Sequence, residues 1–176
     1  MWLNYINNFS CDNRGMTLEN DLNITNKYYL EKNIACIYKK PTPIQVVKVI
    51  NNVIKEAFFK TPSTTDYNGI YNGVYIDFEA KETNLDYLPI KNLHQHQINH
   101  LKTVMYMGGV SFIIVRFYKY DLTFLLETKK LLKFVNTEKR KSIPINYFKN
   151  YGYKIILKYN PRLDYLSIID LILEGD

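Results

Sequence analysis

Cysteine is scarce in this chain. Among 176 residues only Cys11 and Cys36 occur, far apart and without a Cys-x-x-Cys pair. That excludes a disulfide framework and a thiolate zinc site. No signal peptide pattern opens the sequence, so the two thiols are expected to be reduced and the compartment cytoplasmic. Long apolar runs are also missing. The longest, such as residues 110–115, fall far below the roughly 18 residues a membrane span needs, so no membrane partner is expected. Arginine is rare as well. The net charge of +6 and the pI near 9.1 rest almost entirely on lysine, with four arginines in all. A moderately basic chain suits a polyanionic partner, although this lysine bias, beside abundant Asn, Ile and Tyr, also fits an AT-rich genome. The length is that of one domain with a sound core, and no repeat or low-complexity segment interrupts it.

What is present centres on residues 74–81, V-Y-I-D-F-E-A-K. Val74, Ile76, Phe78 and Ala80 alternate with Tyr75, Asp77, Glu79 and Lys81, as in a strand with one apolar and one polar face. The polar face is expected to be open, with Glu79 and Lys81 about 7 Å apart along the strand. Asp66 stands upstream, separated from Glu79 by twelve residues. Asn68-Gly69 and Asn72-Gly73 read as turn signals between them.

Acid, spacer and Glu-x-Lys is the layout of a metal-dependent phosphodiesterase site. Cleaving a phosphodiester requires an activated water and neutralisation of the charge building on the phosphoryl oxygens. Two or three oxygen ligands hold Mg²⁺, which lowers the pKa of water and clamps the phosphate. A lysine two residues beyond a ligand shares its strand face and can orient water or offset the forming charge. Glu-x-Lys alone is more often a solvated ion pair; Asp66 at this spacing shifts the balance without deciding it.

Longer motifs carry a resemblance. F-K-T-P-S-T-T-D-Y-N-G (residues 59–69) followed by Y-I-D-F-E-A-K-E-T (75–83) resembles the RecU family of Holliday junction resolvases, within the PD-(D/E)xK, restriction-endonuclease-like superfamily. R-G-M-T-L-E (14–19), K-K-P-T-P (39–43), H-x-H-Q (94–97), Gly108-Gly109, R-K-S-I-P (140–144) and P-R-L-D-Y (161–165) agree with it, from about residue 13 to 171. The resemblance implies a mixed α/β sheet flanked by helices, with a protruding β-hairpin stalk at residues 44–60. It implies metal contacts from Thr64, Asp66, Glu79 and Gln97, and catalysis by Asp66, Glu79 and Lys81. Thr64 would touch the metal through its hydroxyl or carbonyl; a turn residue making local bonds is the alternative. Mg²⁺ is the implied cofactor, with Mn²⁺ as a substitute.

His94, His96 and His100 invite a metal reading, with His96 and His100 four apart on a helix, but without a third strong ligand they favour supporting or phosphate contacts near Gln97 over zinc. Glu19 either approaches the site from the first helix or simply favours that helix's dipole. Arg14 and the run Lys139-Arg140-Lys141 are candidates for DNA-backbone contacts, with a solvated surface as the alternative.

The pattern predicts helices over residues 17–32, 92–107, 128–135, 146–150 and 165–173. It predicts strands over 34–38, 44–50, 53–60, 74–81, 110–117 and 122–126, with 155–159 extended. One nuclease domain is expected over 1–176, with an irregular tail at 1–13. Asn92 is expected to cap the second helix and Gly108-Gly109 to close it. The hairpin tip, Ile50-Asn51-Asn52, is about five residues shorter than the resembled family's and lacks its basic character, as does the tail. These departures bear on DNA engagement more than on chemistry.

The resemblance therefore implies a homodimeric endonuclease (a crossover junction endodeoxyribonuclease) that makes paired symmetric nicks in four-way junctions during recombination and repair. A recombinase or branch-migration helicase is a further possible partner. The alternatives are a nuclease acting on flaps or duplex, and a non-catalytic junction-binding protein.

Overall fold

A computed structural model describes residues 17–60 and 64–175. The tail and Arg14 therefore lie outside the described residues. The elements run α1 (Leu18–Glu31), β1 (Cys36–Lys39), β2 (Ile44–Ile50), β3 (Val53–Phe59), β4 (Tyr67–Tyr71), β5 (Val74–Thr83), β6 (Tyr87–Pro89), α2 (Gln95–Tyr106), β7 (Val110–Phe117), β8 (Leu122–Glu127), α3 (Thr128–Thr137), β9 (Ser142–Pro144), α4 (Ile145–Tyr151), β10 (Tyr153–Ile155) and α5 (Leu166–Glu174). A six-stranded mixed sheet has the order β1-β4-β5-β7-β8-β10. Its one parallel pair is β5 with β7, and α2 supplies the crossover that a parallel pair requires. This is the mixed α/β architecture expected from the sequence.

Two apolar layers cover the sheet. Leu18 and Leu22 of α1, with Tyr165, Leu166 and Ile169, pack on Ile76, Phe78, Phe112 and Ile114. On the opposite face, Ile98, Leu101, Leu131 and Phe148 pack on Ile113, Val115 and Leu126. β7 feeds both layers, which is why its sequence is apolar without alternation. Its Arg116 is buried nonetheless, paired at 2.7 Å with Asp21 of α1, which Arg162 also approaches at 2.9 Å. The first-helix face of Leu18, Leu22, Thr25 and Tyr29 is buried as its spacing predicts.

Four expectations are corrected. Asn68-Gly69 is not a turn but lies inside β4, where Gly69 pairs with Ile37. A Cβ at Gly69 would stand 2.0 Å from the Cys36 carbonyl oxygen, so the glycine serves backbone approach between strands. Only Asn72-Gly73 turns the chain, with φ of 49° and 78°. Second, α2 begins later than expected: His94 rather than Asn92 is its N-cap, because residues 90–92 form a separate 3₁₀ turn. Its C-terminal end is as expected, with Gly108 at φ 84°. Third, β6 and β9 were not expected, being a three-residue pair too short for alternation to show. Fourth, the polar face of β5 is not open. α2 crosses over it, and Asp77 and Glu79 are both 0% exposed.

β2 and β3 form a two-stranded sheet of their own, outside the six-stranded one. Asn51 and Asn52, at φ 49° and 59°, make the tight turn that the sequence signalled. Every residue of β3 is exposed, and so is β2 apart from half-buried Val46.

Candidate active site

The site forms where β4, β5 and α2 meet. Asp66 immediately precedes β4, which pairs antiparallel with β5. Its Oδ2 accepts the Ala80 backbone N–H at 3.0 Å, fixing the carboxylate beside the residue that follows Glu79. Glu79 points the other way from Ala80, beneath α2. There Gln97 Nε2 donates to Glu79 Oε1 at 2.7 Å, and Lys81 Nζ pairs with the same oxygen. The second oxygen, Oε2, is buried and has no hydrogen-bond partner among the described residues.

This arrangement is electrostatically unfavourable for an isolated carboxylate. Burial, and then the negative charge of Asp66, push the Glu79 carboxyl up to about 7, with Lys81 opposing. An orphaned oxygen on a buried acid next to a second acid fits a divalent cation, which would satisfy both. The donors are hard oxygens, as Mg²⁺ or Mn²⁺ prefers. Among the described residues, no group of three or more His, Cys, Asp or Glu side chains converges as a metal site. A cation here would rely on the two acids with neutral oxygens.

The sequence-predicted residues are placed unevenly. Asp66, Glu79, Lys81 and Gln97 come together. Gln97, however, offers its amide nitrogen to Glu79, while its Oε1 accepts the His94 backbone N–H at 3.0 Å. Its oxygen caps α2 and its amide nitrogen meets Glu79. Thr64 is exposed, and its hydroxyl oxygen accepts from Lys40 Nζ at 3.1 Å. Glu19 lines a cleft of about 270 Å³ with Asp66 and Lys81, and it pairs with Lys39 at 2.5 Å. Lys139, Arg140 and Lys141 are exposed between α3 and β9.

Sequence reasoning missed Asp77. It is fully buried and gathers Lys40 Nζ at 2.7 Å, Tyr75 Oη at 2.9 Å, His100 Nε2 at 3.0 Å and the Thr65 hydroxyl. The signal was available: Asp77 shares the face of Glu79 and Lys81 in the alternation of β5.

Known proteins resemble the chain over most of its length. Residues 13–171 match the family RecU, Recombination protein U. The chain belongs to the RecU family. It is 51% identical over 169 residues to the Holliday junction resolvase RecU of Geobacillus sp. (strain WCH70) and 52% identical to that of Geobacillus thermodenitrificans (strain NG80-2). The Holliday junction resolvase RecU of Bacillus cytotoxicus is 50% identical. Each alignment covers 91% of this chain and 84% of the relative. Hjc of Archaeoglobus fulgidus, a Holliday junction resolvase from an archaeal hyperthermophile, aligns in structure with a TM-score of 0.44 and 14% identity. That alignment covers 73% of this chain and 90% of that one. Among the described residues, no helix is long and apolar enough to cross a membrane.

Proposed function

We propose that this RecU-family chain is a divalent-metal-dependent endonuclease that resolves Holliday junctions. The observation that carries the chemistry is the buried Glu79 carboxylate, with one oxygen unpartnered among the described residues and the Asp66 charge beside it. Asp66 and Glu79 would hold Mg²⁺ or Mn²⁺. Thr64 would offer its carbonyl, since Lys40 already engages its hydroxyl. Gln97 fixes the orientation of Glu79 through its amide nitrogen.

A cation held there would neutralise charge on the scissile phosphate and lower the pKa of a water. Lys81, 22% exposed at its side chain, is the cation of the protein placed to orient that water or offset charge forming on the phosphoryl oxygens. β5 and α2 hold Lys81 and Gln97 on a rigid strand and helix, so little ordering remains to be done when substrate binds.

A four-way junction has approximate two-fold symmetry, and a C₂ dimer would deliver two matched nicks. The β2–β3 hairpin supports dimerisation: an isolated two-stranded sheet is marginal in water, and this one exposes Val47, Val49, Phe58 and Phe59. Lys139, Arg140 and Lys141 would contact phosphates without reading sequence.

The test is cleavage of a synthetic mobile four-way junction beside linear duplex and flap substrates, with Mg²⁺, Mn²⁺ or a chelator. Paired nicks at symmetric positions on the junction alone, lost with chelator, are expected. Equal cleavage of flaps or duplex would assign another substrate, and tight binding without nicks would assign an architectural role.

A further inference from the structure

We propose that Lys40 is a positioning residue for Asp66, acting through Thr65 and the buried Asp77; this rests on the reading of Asp66 and Glu79 as metal ligands. The pairing of β1 with β4 ends at Lys39 and Tyr67. Residues 64–66 lie beyond that last ladder pair, so strand pairing alone does not set their conformation. Lys40 grips all three. Its backbone N–H donates to the Asp66 carbonyl at 2.8 Å. Its Nζ donates to Thr64 Oγ1 at 3.1 Å and to Thr65 Oγ1 at 2.5 Å.

The third acceptor of Nζ is Asp77 Oδ2 at 2.7 Å, on the strand that carries Glu79 two residues later. Thr65 closes the triangle by donating its hydroxyl to Asp77. His100 of α2 and Tyr75 hold Asp77 from its other sides. One ammonium thus ties the segment bearing the first acid to the strand bearing the second.

The residue types fit this task. An ammonium has three donors that can point at three convergent acceptors, and here it has three. A planar guanidinium would aim its donors in a fork and miss part of that set. Asp77 is 0% exposed and the Lys40 side chain 14%, so the cluster is an internal brace rather than a phosphate-facing surface.

Calorimetric titration of Mn²⁺ into the full-length protein tests the assignment directly. The variants are Thr65→Val, Thr65→Ser, Lys40→Met with Asp77→Asn, and Asp66→Asn as the ligand control. Thr65→Val preserves shape and removes the hydroxyl; Thr65→Ser retains it. The double variant removes both charges together, so no buried carboxylate is left unpaired. Folding of each variant is checked by thermal melting. Asp66→Asn is expected to lose Mn²⁺ binding. Thr65→Val and the double variant are expected to bind at least tenfold more weakly while melting cooperatively, and Thr65→Ser within threefold of wild type. Asp66→Asn losing the metal while Thr65→Val and the double variant bind as wild type would overturn the positioning role alone. Undiminished binding by Asp66→Asn would overturn the metal-site reading and this assignment with it.

Discussion

Strand β5 holds Asp77 and Glu79 at 0% exposure under α2, whereas β3 leaves Phe58 and Phe59 58% and 78% exposed. The usual distribution is inverted in both places, with charge inside and apolar surface outside. The difference teaches what each region requires. The acids of β5 are braced within the chain by Gln97, Lys81, Lys40 and His100, and one oxygen is left over. Among the described residues, the apolar side chains of the hairpin have no such cover. On the proposed function the first region would receive a small hard cation, and the second would meet a large surface.

The comparison breaks most severely when an acid is removed. Asp66→Ala or Glu79→Ala is expected to lower junction cleavage on the order of 10³-fold or more, the scale of losing a principal electrostatic contributor. Junction binding measured in chelator should remain. Cleavage at the normal rate by either variant would remove these residues from the chemistry.

Replacing Phe58 and Phe59 together by Ser attacks the other region. Each aromatic side chain buried at an interface contributes about 2 kcal/mol, and a two-fold dimer loses four of them, so dimer dissociation should rise roughly 10⁵-fold. Light scattering across a dilution series should then show monomer at concentrations where the proposed wild-type dimer persists. An unchanged dimer would place the interface elsewhere.

Glu79→Gln sharpens the contrast through stability. The folded carboxyl titrates near 7, above its ordinary 4.5. A raised folded pKa means stability is fully present below pH 4.5 and is lost as pH rises towards and through 7. The amide carries no such penalty. In chelator, Glu79→Gln should therefore be more stable than wild type above pH 7, by up to about 3 kcal/mol, with the gain vanishing below pH 4.5. Urea unfolding at pH 4 and pH 8 measures this. The smallest effect expected is from neutralising Lys139, Arg140 and Lys141. Junction affinity should weaken modestly, and the salt slope should fall by about 0.9 for each phosphate no longer neutralised.

Much of this was legible in the sequence, for definable reasons. Residues 74–81 alternate clearly, and 110–117 carry the continuous apolar run of a strand buried on both faces. Local chemistry announced Asn51-Asn52 and Gly108. What stayed hidden was tertiary. Alternation shows that Asp77 and Glu79 share a face but not that α2 would lie on it. Gly69 looked like a turn residue because its true reason, the Cys36 carbonyl on a neighbouring strand, lies 33 positions away. The family resemblance brought Gln97 to the site but could not tell which end of its amide would face Glu79. The same limit concealed Lys40, whose partners become visible only when β1, β4 and β5 are side by side.

The most direct test of the metal reading is Mn²⁺ affinity as a function of pH. A cation that takes the Glu79 carboxylate must displace its proton, so affinity should rise about tenfold between pH 6 and pH 8 for a group titrating near 7. Glu79→Gln should bind far more weakly and lose that dependence. Equal affinity at both pH values in the wild type, or binding by Glu79→Gln that matches it, would contradict a cation held by Asp66 and Glu79.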